Sequence, residues 1–125
     1  MNGVPLRTRK PMAAFEQGDV VKVPFPYTDR ATRQSRPALV VSTGGIEDAH
    51  GLLWVAMITS AENRGWAGDV PVPRFEAAGL PAPSVIRTAK IATIDAADAV
   101  TLGHVAASER EAVLNHLARE LGLVS

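Results

Sequence analysis

The chain has no cysteine, which excludes disulfides and thiolate metal sites and fits a reducing compartment such as the cytoplasm. It also lacks any apolar run approaching the roughly 18 residues that a membrane-crossing helix needs, so a soluble protein with no membrane partner is expected. Residues 1–14 hold Arg7, Arg9 and Lys10 with no apolar stretch behind them, and a secretory signal is not expected. No internal repeat or low-complexity tract divides the sequence, and 125 residues suit one domain with a single core. The histidines, His50, His104 and His116, are scattered and come without an Asp or Glu cluster, so the pattern calls for no metal. No phosphate-cradling glycine motif precedes a helix, and no cofactor is expected.

What is present is an ordinary globular composition, 46% hydrophobic and 21% charged. The formal net charge is zero, yet the charges are unevenly spread. Lys and Arg outnumber Asp and Glu up to residue 90, whereas residues 91–125 set Asp95, Asp98, Glu109, Glu111 and Glu120 against only Arg110 and Arg119. A solvated surface and a basic cleft backed by an acidic helix both fit this split.

The stretch that organises the chain is Arg36-Pro37-Ala38-Leu39-Val40-Val41-Ser42. Its apolar run reads as a buried central strand. Pro37 biases Arg36 toward an extended backbone, so the guanidinium stands at a rigid strand start, a way to hold a cation for an anionic ligand. Upstream, residues 1–14 read as a flexible basic arm before a domain over 15–125, and Val20 to Phe25 alternates as a first strand. The polar loop from Tyr27 to Ser35 carries Asp29, Arg30 and Arg33, a length that suits a functional segment or simple mobility.

Downstream, Ile46 to Gly51 reads as a loop and Leu53 to Ile58 as a third strand stopping at Thr59-Ser60. Small hydroxyls there are ordinary turn chemistry and also what phosphate-ester chemistry needs. A loop with Glu62, Arg64 and Trp66 leads to an edge strand over Asp69–Pro73, placed at an edge by its prolines. Ser84-Val85-Ile86 leads into Arg87, Lys90 to Asp95 continues or adjoins it, and Thr101 to Val105 forms a last small strand. Ser108 and Glu111 have the spacing of a capping box, Gly122 is placed as a stop, and Val113, Leu114, Leu117 and Leu121 form one apolar helix face. The expected fold is mainly β, a small, strongly curved antiparallel barrel with a C-terminal α-helix.

Gly18-Asp19-Val20-Val21 with Pro24, Arg36-Pro37-Ala38-Leu39-Val40-Val41-Ser42, Ile58-Thr59-Ser60, Ser84-Val85-Ile86-Arg87 and Thr93-Ile94-Asp95 together resemble the MazF/PemK family of toxin endoribonucleases, in order from about Gly18 to Leu121. The resemblance implies an SH3-like barrel, a homodimer, and metal-independent cleavage of single-stranded RNA, in which the ribose 2′-hydroxyl attacks the adjacent phosphorus. It implies catalytic roles for Arg36 and Thr59, matching the family's arginine before proline and the threonine ending the third strand. Arg87 matches an arginine that some PemK-type members use with an aspartate two residues on. That position is Ala89 here, which leaves the Arg36 and Thr59 arrangement as the better-supplied one.

An RNA groove needs cations and a stacking surface. Arg30, Arg33, Ser60, Arg64, Trp66, Arg87 and Lys90 are the candidates, with Trp66 or Tyr27 stacking a base. Trp66 also fits a loop anchor packed on the sheet. His50 and His104 are weaker candidates for a base, and His116 falls on the polar side of the helix. The resemblance further implies an antitoxin whose acidic, disordered tail would meet the same cations as RNA. Two other readings share the architecture: a CcdB-like poison of DNA gyrase, and a catalytically silent binding module.

Overall fold

A computed structural model describes residues 13–25 and 34–124; the expectations for the arm over 1–12 and for Tyr27, Asp29, Arg30 and Arg33 lie outside them. The elements run β1 (Asp19–Phe25), β2 (Gln34–Val40), α1 (Gly44–His50), β3 (Leu52–Ser60), a 3-10 turn (Ala61–Asn63), β4 (Asp69–Val72), β5 (Ser84–Asp95), a second 3-10 turn (Ala96–Asp98), β6 (Val100–His104) and α2 (Ala107–Glu120). All six strands form one antiparallel sheet in the order β4-β5-β3-β2-β1-β6. The expected curved sheet with a C-terminal helix is what forms, as a curled half-barrel.

The run Ala38-Leu39-Val40 lies in the interior of this sheet because β2 is flanked on both sides, by β1 and β3. Its side chains alternate between two apolar clusters. Leu39 joins Val20, Ala56, Ile58, Ile86 and Val113 beneath α2, whereas Ala38 and Val40 join Val21, Val23, Val55, Met57 and Ile94 on the opposite face. A strand buried on both faces loses the polar alternation of an exposed one, which is why β2 and β3 read as near-continuous apolar runs. Pro71 sits in β4, at the sheet edge, where a missing N–H leaves no gap in a central ladder.

Strand β5 is one element of 12 residues with an irregularity inside it. Ala56 of β3 pairs with Ile91, but the next residue, Met57, pairs with Arg87. Thr88, Ala89 and Lys90 are therefore extruded from the ladder, a wide bulge that bends the strand and tightens the curl of the sheet. The two segments seen in the sequence are the halves of this bent strand.

Three local expectations need correction. Residues Gly44–His50 form the helix α1 rather than a loop; none of its residues is buried, so the apolar periodicity that announces a helix is missing. It ends at Gly51, whose φ of 69° is left-handed, and Glu47 accepts the N–H groups of Ala14 and Phe15 at 3.0 and 3.1 Å. Helix α2 starts two residues early for a Ser108 cap: Ala106 is its N-cap, and Glu109 rather than Glu111 reaches back, accepting the Ala106 N–H at 3.0 Å. Only this half of a capping box exists, since alanine has no side-chain acceptor. Leu121 caps the helix C-terminus and is 72% exposed, so the apolar face consists of Val113, Leu114 and Leu117. Strand β2, finally, begins at Gln34, two residues before Arg36.

The turn before β5 packs on β6 through a backbone approach that excludes side chains. Gly79 has φ +77°, and a Cβ there would run into the Leu102 carbonyl, while one at Gly103 would meet the Ala78 carbonyl carbon at 2.6 Å. Gly65 also has a positive φ, +126°, but open space around it. Gly79→Ala is expected to lower unfolding free energy by well over about 1 kcal/mol, and Gly65→Ala by less, because only the first adds a clash to the backbone strain. Urea denaturation of the two variants measures the difference.

Candidate active site

Paired residues on neighbouring strands share a sheet face. The pairs Asp69↔Arg87, Arg87↔Met57, Met57↔Ala38 and Ala38↔Val21 therefore form one row across five strands, on the face away from α2. Thr59 and Arg36 each lie two residues beyond the last β2–β3 pair, Ala38 and Met57, and so point to this same face. Sequence reading named Arg36, Thr59 and Arg87, and the fold puts all three on one side of the sheet.

Arg87 is 5% exposed and its charge is matched. Its Nε donates to Asp69 Oδ1 at 3.2 Å and its Nη2 to Asp69 Oδ2 at 2.9 Å, a two-point pairing of planar groups. Nη2 also donates to the Asn63 carbonyl at 2.6 Å. Asp69 accepts the Trp66 N–H at 3.2 Å as well. The hydrogen bonds from Arg87 hold the Asp69 carboxyl below its ordinary value, outweighing the burial that raises it.

Thr59 is also 5% exposed, and its Oγ1 accepts a hydrogen bond from Asn63 Nδ2 at 3.0 Å. Asn63 thus touches both named residues, Arg87 through its main chain and Thr59 through its side chain. It arrives there because β3 runs directly into the 3-10 turn. Ser60 Oγ accepts the Glu62 N–H at 3.2 Å, the Arg64 N–H closes the turn on the Ala61 carbonyl at 3.2 Å, and the Ala61 N–H ties it to the Pro83 carbonyl at 2.9 Å. Residue 63 is thereby folded back over residue 59. Sequence reading missed Asn63 and Asp69: a serine–glutamate turn just after a strand hints at the first, and nothing short of the β4–β5 register points to the second.

The remaining candidates divide. Trp66, 48% exposed, lies under two cations, Arg87 Cζ at 4.2 Å and Lys90 Nζ at 5.6 Å from the ring centroid, so it is anchored on one face by a cation–π stack and half open. The bulge at residues 88–90 is what brings Lys90 to the same ring as Arg87. Arg64 is exposed and donates to the Ala61 carbonyl at 2.8 Å. Ser60, exposed, serves as the cap of the 3-10 turn. Ala89 lies away from this cluster, lining an apolar groove of about 650 Å³ with Trp54, Ile91, His116, Leu117 and Leu121. His116 is accordingly turned into that groove rather than out to solvent, 3.8 Å from Glu120. His50 ends α1 and His104 ends β6, both exposed.

The molecule is thus a small curled antiparallel sheet with one helix across its back and, on its front, a cluster of Arg87, Asp69, Asn63 and Thr59. Residues 16–121 match the family described as PemK-like, MazF-like toxin of type II toxin-antitoxin system, and the chain belongs to that family. Among solved structures, it resembles MazF from Deinococcus radiodurans with a TM-score of 0.69 and 25% identity, over 86% of this chain and 96% of that one. A MazE-MazF structure from the same organism gives 0.65 and 26%, over 86% and 94%. An endoribonuclease in complex with its cognate antitoxin from a mycobacterial species gives 0.67 at 19% identity, over 91% and 99%, a likeness of fold. No curated protein matches the chain. Among the described residues no helix is long and apolar enough to cross a membrane.

Removing Asp69 leaves a buried guanidinium unpaired. Asp69→Asn is expected to cost about 3–5 kcal/mol, the usual result of breaking one side of a buried pair. Because the carboxyl value is depressed in the folded state, its contribution is fully present above the ordinary value of 3.8 and is lost as pH falls through the lower folded value. Denaturation of both proteins from pH 7 to pH 2 should show their gap narrowing only at the acid end.

Proposed function

We propose that this protein is the toxin of a type II toxin-antitoxin pair and that it cleaves single-stranded RNA without a metal. The observation that carries this reading is the common face of Arg36, Thr59 and Arg87, with Thr59 and Arg87 joined through Asn63. In the reaction the 2′-oxygen bonds to phosphorus and the P–O5′ bond breaks, leaving a 2′,3′-cyclic phosphate and a 5′-hydroxyl. The 2′ proton departs and the 5′-oxygen takes one up. Charge grows on the non-bridging oxygens as this happens, and preformed donors that meet it lower the barrier.

Arg36 fits that role through charge and paired donors, and one of its N–H groups can also donate a hydrogen bond toward the leaving oxygen. Thr59 supplies a hydroxyl donor to phosphate or orients the 2′-hydroxyl. Arg87 is held through Nε and Nη2 by Asp69 and the Asn63 carbonyl, so it acts as a fixed positive charge rather than as a proton shuttle. Trp66 and Lys90 offer a stacking face and a cation for neighbouring nucleotides, and Ser60 and Arg64 extend the phosphate track. Unpaired RNA is the substrate because only splayed bases present their edges and faces to so small a site.

The likeness to the Deinococcus MazE-MazF structure supports a cognate antitoxin here, and an acidic, otherwise disordered tail is the segment that would compete with RNA for these cations. A homodimer completes the reading. The exposed Trp54, Ile91 and Leu121 along the apolar groove are surface that a second copy can cover.

Long single-stranded RNA incubated with the protein in EDTA is expected to be cut at a short recurring sequence, with cyclic-phosphate and 5′-hydroxyl ends. Arg36→Ala and Thr59→Ala should each slow cleavage by about 10²–10³-fold while circular dichroism stays unchanged. Intact RNA across a broad set of substrates would overturn the nuclease reading and turn attention to gyrase poisoning or plain partner binding. The product of the neighbouring reading frame should bind the toxin and block cleavage, with affinity falling as salt rises.

A further inference from the structure

We infer that Asn63 is a positioning residue that sets the direction of the Thr59 hydroxyl, so that its proton is offered to the substrate and not to the protein. This rests on the nuclease reading above and adds to it the group that orients one of its donors. A threonine hydroxyl carries one proton and two acceptor lone pairs. Asn63 Nδ2 donates to Oγ1 at 3.0 Å and occupies one lone pair, which turns the O–H away from the amide.

The amide is itself held in place. The Asn63 carbonyl accepts Arg87 Nη2 at 2.6 Å, Arg87 is locked to Asp69 across the β4–β5 ladder, and the turn carrying Asn63 is held at its start by Ser60 Oγ and the Pro83 carbonyl, which accept the N–H groups of Glu62 and Ala61, and closed by the Arg64 N–H on the Ala61 carbonyl. Arg87, itself held by Asp69, and the Ser60 and Pro83 oxygens thus fix Asn63, the residue whose amide bonds the hydroxyl. Thr59 is buried while Asn63 is exposed, so the amide sits between the threonine and the solvent. A network of this kind does what a directly contacting group cannot do alone: it removes the rotational freedom of a hydroxyl before the substrate arrives.

The test exchanges the donor for an acceptor of the same shape. Asn63→Asp draws the Thr59 proton to a carboxylate and points the hydroxyl the wrong way. At neutral pH kcat for RNA cleavage should fall by about 10- to 100-fold with KM little changed, the size of loss that misplacing a catalytic group gives. Protonation of the new carboxyl restores a donor, so the ratio of variant to wild-type rate should climb as pH falls toward about 4. Among the described residues the charged groups around position 63 are Arg87 and Asp69, which offset each other, Lys90 over the same Trp66 ring as Arg87, Glu62 and Arg64 of the same turn, and Arg36 on the same face; Arg110 and the other helix charges lie across the sheet.

Coupling supplies the second arm. In a Thr59→Val background, where there is no hydroxyl to direct, Asn63→Asp should cost nothing further, whereas in Thr59→Ser its cost should return. Asn63→Ala, which removes the amide without adding charge, should show the same dependence on residue 59 with a flat pH ratio. Full activity in Asn63→Asp, or losses that add in the Thr59→Val background, would overturn the inference while leaving the ribonuclease intact. A wild-type protein that cuts no RNA would instead overturn the nuclease reading and this inference with it.

Discussion

The front of the sheet depends on one buried charge being answered from the neighbouring strand. Arg87 points into the protein from the middle of β5, where an unpaired guanidinium would be costly, and Asp69 stands opposite it in the β4 ladder. A buried pair of this kind adds little net stability, since desolvation offsets most of the attraction. What it does is exclude alternatives. A slip of β4 by one residue would put Asp69 on the wrong face and strand both charges, so the pair pins the edge strand in register. The 3-10 turn, Trp66 and the bulge at residues 88–90 then follow from that register, because each is bonded to or stacked on this pair.

The two faces of the sheet divide the labour. Beneath α2 the side chains of β1, β2, β3 and β5 close on Val113, Leu114 and Leu117 and form the larger core. The opposite face is apolar at its centre and turns polar toward the end where β2 starts and β3 stops, and the candidate site occupies that end. Arg36 sits near the start of β2, paired with Val23 of β1 and two residues beyond the last β2–β3 pair. A rigid strand end is a better mount for a phosphate-binding cation than a loop, because less freedom is lost when the ligand arrives.

Family membership and site geometry bear on different questions. Membership accounts for the fold and for toxin character. The position of Ala89 in the groove beside α2, with Asp69 meeting Arg87 instead, means that the carboxylate beside this arginine comes from a different strand and has a depressed pKa. Such a carboxylate is a weak base and a strong anchor. In the function proposed above, the chemistry therefore falls on the donors Arg36, Thr59 and Arg87, held by groups that do not themselves react.

By itself the sequence determined the strands and the C-terminal helix and named three candidate site residues that the fold sets on one face, because these are written in local patterns. Alternation and branched side chains mark β1 to β3, the prolines mark an edge at β4, and the 3.6-residue period marks α2. It was silent on α1, which buries nothing and so carries no periodicity, and it misplaced the cap of α2 because a capping-box spacing occurs at two neighbouring offsets and only packing selects one. Asn63 and Asp69 were decided by tertiary structure alone. Their roles arise from a strand register, a bulge and a turn anchored to a distant carbonyl, and hydrogen bonds between residues far apart in sequence leave no trace in the spacing of a single chain.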